Sequence, residues 1–540
     1  MKCAKLNRKE VIFLFLIIIL GILLRLNFSN RIVSDEPAHF TEAIQIARGE
    51  IPFYQSQRGY LLSIIRALTF RLTGYCVFCQ RFLVLIFGVG VIYLTYYLGK
   101  ILYDEKVGLL SSFLVSIFPL FVSLSRSIMN DMVGIFFSLL ATCLYIKGLE
   151  ERNKKMIWTS GIALGLGLLC NPFVFLFLFV IFFYFLLERR KELIMPTIVL
   201  YAISFSIWGT WLILDFSSAL YLNNVVWGLD IITWRPADYD MINNAILPIL
   251  SHSGLFLMIF GIIYSLVRRR KEDVFLLLII TLLFVWIEFL IAPKAYGRFE
   301  SIFVPFIFIL FSKFYIELSK NSYESITNLF IKKKVKKKIL ILLPFIIISL
   351  TLTIFLIKSF NTTIFTWKYD DWYAFGMINQ NLLSGKDSAY DSIKFLQNTS
   401  GSIGADPCII SNFRGFLEKD RELKEIFPRC SVDVPPSELN TSLLTNQTIE
   451  SICRYKLKWI MIKDPPSPST TGMGINVSGE LSRYNFLHRT YIYCYPINEI
   501  KNRYCIEEKY WGEAIEDCKK YVDDIKTCFS IFKVDNYEIC

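Results

Sequence analysis

The run Val11-Ile12-Phe13-Leu14-Phe15-Leu16-Ile17-Ile18-Ile19-Leu20-Gly21-Ile22-Leu23-Leu24 follows Lys2, Lys5, Arg8 and Lys9, and its apolar character persists to Phe28. A helix over this stretch is about 27 Å long, enough to cross the hydrocarbon core of a bilayer. No small-residue cleavage site follows it and further apolar runs do, so it reads as an uncleaved first span. The further runs cover residues 82–102, 107–124, 132–149, 156–170, 173–187, 193–214, 245–267, 274–292, 302–316 and 339–357. Together they predict about eleven spans. Composition agrees: hydrophobic residues are 54% of 540, charged residues 19%, and Phe alone occurs 47 times. That balance excludes both a water-soluble globule and a disordered chain. The net charge of +12 is held in short basic runs between apolar segments, a pattern that orients a membrane protein and argues poorly for nucleic-acid binding.

With the N-terminus in the cytoplasm, the basic runs at residues 104–106, 147–155, 188–191, 268–271 and 332–338 all fall inside, as the positive-inside rule requires. Residues 29–81, 215–244 and 358–540 then lie outside. The tail contains Cys408, Cys430, Cys453, Cys494, Cys505, Cys518, Cys528 and Cys540, an even number suited to an oxidising compartment. It also has N-x-S/T sequons at Asn361, Asn398, Asn440, Asn446 and Asn476. Cys76 and Cys79 face the same side, free or paired with each other. The expected architecture is mainly α: a polytopic helical bundle over 1–358, then a small disulfide-rich extracytoplasmic α/β domain over 359–540. In that domain 388–397 reads as a helix, and 407–411, 459–462, 491–495 and 529–534 read as strands. The site of action is a cell membrane, or the endoplasmic reticulum in a eukaryote.

Candidate chemistry gathers at the outer helix ends. Ser34-Asp35-Glu36-Pro37-Ala38-His39-Phe40 follows the first span and leads into a helix over residues 41–48 lying along the membrane. Two acids and a histidine at the membrane edge point to function, while Asp35 as a helix cap and Glu36 as a first-turn acid is the bland alternative. Ser125-Arg126-Ser127 with Asn130-Asp131 forms a second outer turn, in which Asp131 either caps the next span or binds substrate. A third carries Pro293-Lys294-Ala295-Tyr296-Gly297-Arg298-Phe299-Glu300. Lys294 and Arg298 run against the outer charge bias and are candidates to hold an anion; pairing with Glu300 is the alternative.

The order of these motifs resembles the GT-C fold glycosyltransferases that use polyprenyl-phosphate sugars, in particular the protein O-mannosyltransferases and the aminoarabinose transferases. The resemblance runs over roughly residues 10–310. It rests on Ser34-Asp35-Glu36, Ala43 to Gly49, Pro52, Gly74, Arg81, Pro119, Ser125-Arg126, Asp131, Arg298-Phe299 and Pro305. The chain departs from the pattern at Gln57-Arg58-Gly59-Tyr60, where the family has a proline-containing segment, and at His39-Phe40, where a tyrosine is usual. The resemblance implies transfer of a sugar, mannose or another hexose or pentose, from a polyprenyl-phosphate donor. The acceptor is a hydroxyl on a protein, glycan or lipid, reached with inversion. Asp35 would be the general base, Lys294 and Arg298 would meet the phosphate, and Glu36, His39, Arg126 and Asp131 would orient the base or contact the sugar.

A divalent metal on Asp35, Glu36 and His252 is an open candidate, since carboxylates and imidazole suit such ions. Three other readings compete. An oligosaccharyltransferase of the same fold would need a tryptophan-rich signature, and Trp372-Tyr373-Ala374-Phe375-Gly376 lacks its internal acid. A transporter would show internal repeats and mid-membrane ionisable groups, of which Glu288 is the main acidic example. A purely structural surface protein would only display the tail.

Overall fold

The computed structural model describes residues 8–26, 36–49, 61–74, 76–188, 191–214, 247–285, 299–332 and 336–369, and shorter pieces at 403–405, 423–425, 449–451, 453–455, 459–464, 487–494 and 528–534. The chain divides into two compact units, Met1–Phe28 with Gln55–Met377, and Ser29–Tyr54 with Ile378–Cys540.

In the first unit each apolar run of the sequence falls on a helix over its described part. The helices are α1 (Arg8–Leu23), α3 (Leu61–Thr73), α4 (Val77–Leu102), α5 (Glu105–Ile117), α6 (Pro119–Arg126), α7 (Asp131–Glu150), α8 (Lys154–Leu168), α9 (Leu176–Glu188) and α10 (Ile194–Leu214). After them come α11 (Leu247–Arg268), α12 (Lys271–Val285), α13 (Val304–Lys332) and α14 (Lys336–Tyr369). Helix α2 (Glu36–Ala47) belongs to the second unit. Among the described residues four helices are long and apolar enough to cross a membrane, within α4, α7, α13 and α14, and the bent pair α5–α6 makes a fifth. The chain is a membrane protein. Its surface says so too: α1 leaves Phe13 57% and Phe15 60% exposed while Glu10 is only 3% exposed. A water-soluble helix would invert that arrangement.

Packing runs from α10 through α8, α7, α4, α5 and α13 to α11 and α14, with α1 set against α5 and α9 against α12. Helix ends follow local chemistry. Asp104 caps α5 by accepting from the Val107 N–H at 2.9 Å, and Gly74, at φ 73°, ends α3 in the left-handed conformation that glycine tolerates. The α4–α5 hairpin is tight. A Cβ added at Gly108 would lie 2.5 Å from the Tyr96 carbonyl oxygen, so these backbones meet with no side chain between them.

Residues 107–124, expected as one span, are broken. Helices α5 and α6 meet at 61°. Pro119 has no N–H to give the Val115 carbonyl, and it holds Phe118 extended at φ −71°, ψ 122°. Other side chains supply the missing donors. The Arg25 guanidinium, fully buried, donates to the Ser116 carbonyl at 2.8 Å, to Val115 at 3.4 Å, and to Gly21 in the last turns of its own helix at 2.9 Å. The Thr363 hydroxyl donates to Ile117 at 2.7 Å. Irregular backbone at membrane depth is tolerated where such partners exist.

At the end of the bundle where α4 meets α5 and α11 meets α12, ion pairs knit the helices. Lys100 Nζ lies 2.5 Å from the buried Glu10 carboxylate. Lys313 and Asp273, exposed 1% and 0%, pair at 2.5 Å. The Tyr103 hydroxyl also donates to Asp273, at 2.7 Å. Burial and that bond to Asp273 push the Tyr103 phenol well above its ordinary value.

The second unit contains α2 and a mixed sheet of β1 (Ile403–Ala405), β2 (Leu423–Glu425), β3 (Trp459–Asp464), β4 (Leu487–Cys494) and β5 (Cys528–Val534), in the order β2-β1-β3-β5-β4. β1 is parallel to β2 and β3, and β5 is antiparallel to β3 and β4. The strands expected at 459–462, 491–495 and 529–534 coincide with β3, the second half of β4, and β5. A register irregularity between Arg489 and Tyr491 separates the two halves of β4. The strand expected at 407–411 and the helix at 388–397 lie outside the described residues. The sequon at Asn361 sits within α14, and the hydroxyl of its Thr363 is buried and engaged with Ile117. It is therefore a poor glycan acceptor, and α14 runs on to Tyr369.

Candidate active site

At the opposite end of the bundle the first unit buries four guanidiniums. Arg25, Arg66, Arg81 and Arg126 are exposed 0%, 0%, 2% and 4%. They arrive from different elements: the turn after α1, the middle of α3, the start of α4 and the last residue of α6. Two hydrogen bonds tie the corner together. Arg66 Nη2 donates to the Ile128 carbonyl at 2.6 Å, joining α3 to the turn between α6 and α7. Gln80 Nε2 donates to the Arg66 carbonyl at 3.1 Å, joining α4 to α3. Arg25 and Arg126 are near enough for their charges to repel.

One carboxylate lies five residues after Arg126, beyond the turn that receives Arg66. Asp131 is the first residue of α7, 3% exposed, and accepts from Asn171 Nδ2 at 3.4 Å. The cap position belongs to Asn130, which makes no side-chain cap bond. Asp131 therefore stands at the positive end of the α7 dipole rather than as its cap. Gly134, one turn on, lets Asn171 approach: a Cβ there would be 2.7 Å from the Asn171 Cβ. The 3₁₀ turn Phe299–Phe303 packs on α7 and α12, which brings the start of α13 to this corner. Four buried cations and one acid leave this corner net positive in low dielectric, where an anionic group is held far more strongly than in water.

The sequence-derived candidates divide as follows. Arg126 and Asp131 meet at this corner. Asp35, Lys294 and Arg298 lie outside the described residues. Glu36 opens α2 and His252 lies in α11, and neither side chain is among those described. His39 is buried in α2, with Glu42 and Gln45 buried beside it at helical spacing, and each of the three has a polar or electrostatic partner. Glu42 and Gln45 escaped the sequence reading although their spacing from His39 marks one helical face. Arg25 and Arg66 escaped it as well. Arg25 sits inside an apolar run and Arg66 in what reads as an outer loop; a cation within an apolar helix is the signal that identifies both. Among the described residues no three His, Cys, Asp or Glu side chains group as a metal site.

A family model described as dolichyl-phosphate-mannose-protein mannosyltransferase matches residues 58–213, the stretch that holds Arg66, Arg81, Arg126 and Asp131. The oligosaccharyltransferase AglB from Archaeoglobus fulgidus, in complex with an inhibitory peptide and a dolichol-phosphate, is similar with a TM-score of 0.61. It is 11% identical, over 98% of this chain and 88% of its own. ArnT from Cupriavidus metallidurans, bound to undecaprenyl phosphate, gives 0.59 at 11% identity over 89% of this chain and 96% of its own. The chain has the GT-C fold. The mycobacterial arabinofuranosyltransferase AftD gives 0.52 at 11% identity, over 98% of this chain and 40% of its own. No curated protein sequence matches the chain. In GT-C terms, the arginine corner is built from the helices on either side of the segment that carries Asp35 in sequence.

Proposed function

We propose that this chain is a membrane glycosyltransferase that moves a sugar from a polyprenyl-phosphate donor to an acceptor hydroxyl on the extracytoplasmic face, with inversion. The observation that carries the proposal is the buried corner of Arg25, Arg66, Arg81 and Arg126. Arg25 is bonded to carbonyls at the α5–α6 break and Arg66 to that of Ile128, and the net positive charge of the corner as a whole is what an anion entering from the membrane would meet. A polyprenyl phosphate is such an anion, with its tail between helices. Two similar structures, which hold dolichol-phosphate and undecaprenyl phosphate, support the same class of ligand. In the proposed topology the N-terminus is cytoplasmic, about eleven spans follow, and residues 359–540 form the extracytoplasmic domain.

Asp35 takes the proton from the acceptor hydroxyl as its oxygen attacks the anomeric carbon. The bond from that carbon to the phosphate oxygen breaks on the opposite face, which inverts the configuration. The departing polyprenyl phosphate gains negative charge, which Lys294, Arg298 and the arginine corner stabilise more in the transition state than in the bound donor. Glu36, His39, Arg126 and Asp131 orient the base and the sugar.

The test is sugar transfer from a panel of polyprenyl-phosphate sugars by the purified chain in lipid, with membrane extract as acceptor, wild type beside Asp35→Asn. Transfer by wild type that falls at least about 10²-fold in Asp35→Asn is expected for loss of a general base. Unchanged turnover by folded Asp35→Asn would reject that base. Absence of transfer from every donor by folded wild type would favour the transporter reading.

A further inference from the structure

The sequence leaves the pairing of Cys76 and Cys79 open. In the structure they form a disulfide with only Val77 and Phe78 between them. Its position is specific. Cys76 is the N-cap of α4, extended at φ −114°, ψ 107°, and its sulfur accepts the Cys79 backbone N–H at 3.1 Å. Both cysteines are half-buried rather than sealed in the core.

Three physical points bear on what such a disulfide does. It closes so short a loop that it removes little entropy from the unfolded chain, so structural stapling is a poor account of it. When it is reduced, the Cys76 thiolate would sit at the positive end of a 26-residue helix with an N–H already directed at its sulfur. Its sequence surroundings are electropositive: no Asp or Glu occurs between Glu50 and Asp104, while Arg58, Arg66, Arg71, Arg81 and Lys100 do. A thiolate stabilised in this way is a good leaving group and stays ionised near neutrality, and both properties make the disulfide that contains it easy to open.

We propose that Cys76–Cys79 is a thiol–disulfide exchange site whose reaction partner is a dithiol. A partner thiolate attacks Cys79 Sγ, the Cys76–Cys79 bond breaks, and Cys76 leaves as the thiolate. The partner's second thiol, after losing its proton, then attacks its own sulfur in the mixed disulfide and releases Cys79. The partner ends as a disulfide, oxidised by two electrons, and both cysteines of the chain end reduced. The site adjoins the donor corner in sequence. Gln80, which holds the Arg66 carbonyl, and buried Arg81 directly follow Cys79 in the first turns of α4. Opening the disulfide therefore removes a covalent tie from the turn that positions them.

The experiment uses the full chain in lipid and needs no sugar donor, so its result is independent of the proposed transfer reaction. Wild type is exposed to graded dithiothreitol, alkylated, and mapped by peptide mass. Cys453 is also disulfide-bonded, and its nearest cysteines in sequence, Cys430 and Cys494, are far away, so it reports an ordinary long-loop disulfide in the same sample. Cys76–Cys79 should open at a dithiothreitol concentration at least about tenfold lower than the Cys453 bond. In Cys79→Ser, iodoacetamide labelling of Cys76 should have a pH midpoint below that of a free thiol, about 8.5. Opening no earlier than the Cys453 disulfide, or a Cys76 midpoint at or above the free-thiol value, would overturn the proposal.

Discussion

Replacing Lys313 with methionine removes an ammonium from a place where its absence has a defined consequence. The pair is almost completely enclosed, with side-chain exposure of 1% for Lys313 and 0% for Asp273, and it bridges α12 and α13. Methionine fills much of the lysine stem's volume, so the main loss is charge. Asp273 would keep the Tyr103 hydroxyl at 2.7 Å and the Arg270 N–H at 3.3 Å, which is too little to support a buried negative charge. Lys313 also lies 5.0 Å from the Tyr103 ring centre and 5.5 Å from that of Tyr264, and both cation–π contacts go with it. Breaking one side of a buried pair costs about 3–5 kcal/mol, because the remaining charge is uncompensated. Replacing both partners by apolar groups is far milder. A double-mutant cycle of Lys313→Met and Asp273→Leu, followed by unfolding of detergent-solubilised protein through tryptophan fluorescence, should thus show each single variant less stable than the double. Single variants that each lose under about 1 kcal/mol, with no coupling between them, would refute the argument that this pair is desolvated and mutually dependent.

Arg25→Met should destabilise the bundle by about 1–3 kcal/mol for each carbonyl stranded at the α5–α6 break; adding Pro119→Ala, which restores an N–H for Val115, should recover part of the loss in the same unfolding assay. Gly88→Ala would set a Cβ 2.6 Å from the Ser125 Cβ, and its overpacking cost of about 1–3 kcal/mol should be relieved by Ser125→Gly but not by Ser125→Ala. Glu105 hydrogen-bonds Glu10, and that bond, then burial, then the Glu10 charge raise its carboxyl above the ordinary range, with Lys100 opposing. The stability this contributes is fully present below the ordinary carboxylate pKa and is lost as pH rises through the elevated one. Relative to Glu105→Gln, wild type should weaken over that window by under about 1 kcal/mol, a figure discounted because the side chain is 45% exposed; thermal unfolding of the two proteins across pH measures the difference.

Helix positions were legible because a span must be apolar along its whole length, and each run from residues 11–28 to 339–357 meets a helix. The break at Pro119 was legible in principle from proline's missing N–H, yet uninterrupted apolarity over 107–124 concealed it. The site was half legible. Arg126 and Asp131 stand out at the edge of a span, where charge is conspicuous. Arg25 and Arg66 acquire meaning only when α1, α3 and the turn before α7 meet, and that meeting is fixed by packing between distant segments rather than by local pattern. In the second unit, strands β3 and β5 follow from their own apolar alternation, whereas the order that puts β5 between β3 and β4 depends on pairings far apart in sequence.

The close approach of Gly108 to the Tyr96 backbone has a thermodynamic consequence. Helices that meet backbone to backbone inside hydrocarbon gain their cohesion from dispersion and not from expelling water, since lipid chains are as apolar as the surfaces they leave. Pulling α4 from α5 within the bilayer would therefore expose little new surface to water. The large heat-capacity increment that curves the stability of soluble domains would be nearly absent, and the hairpin should hold on cooling where a water-driven core weakens.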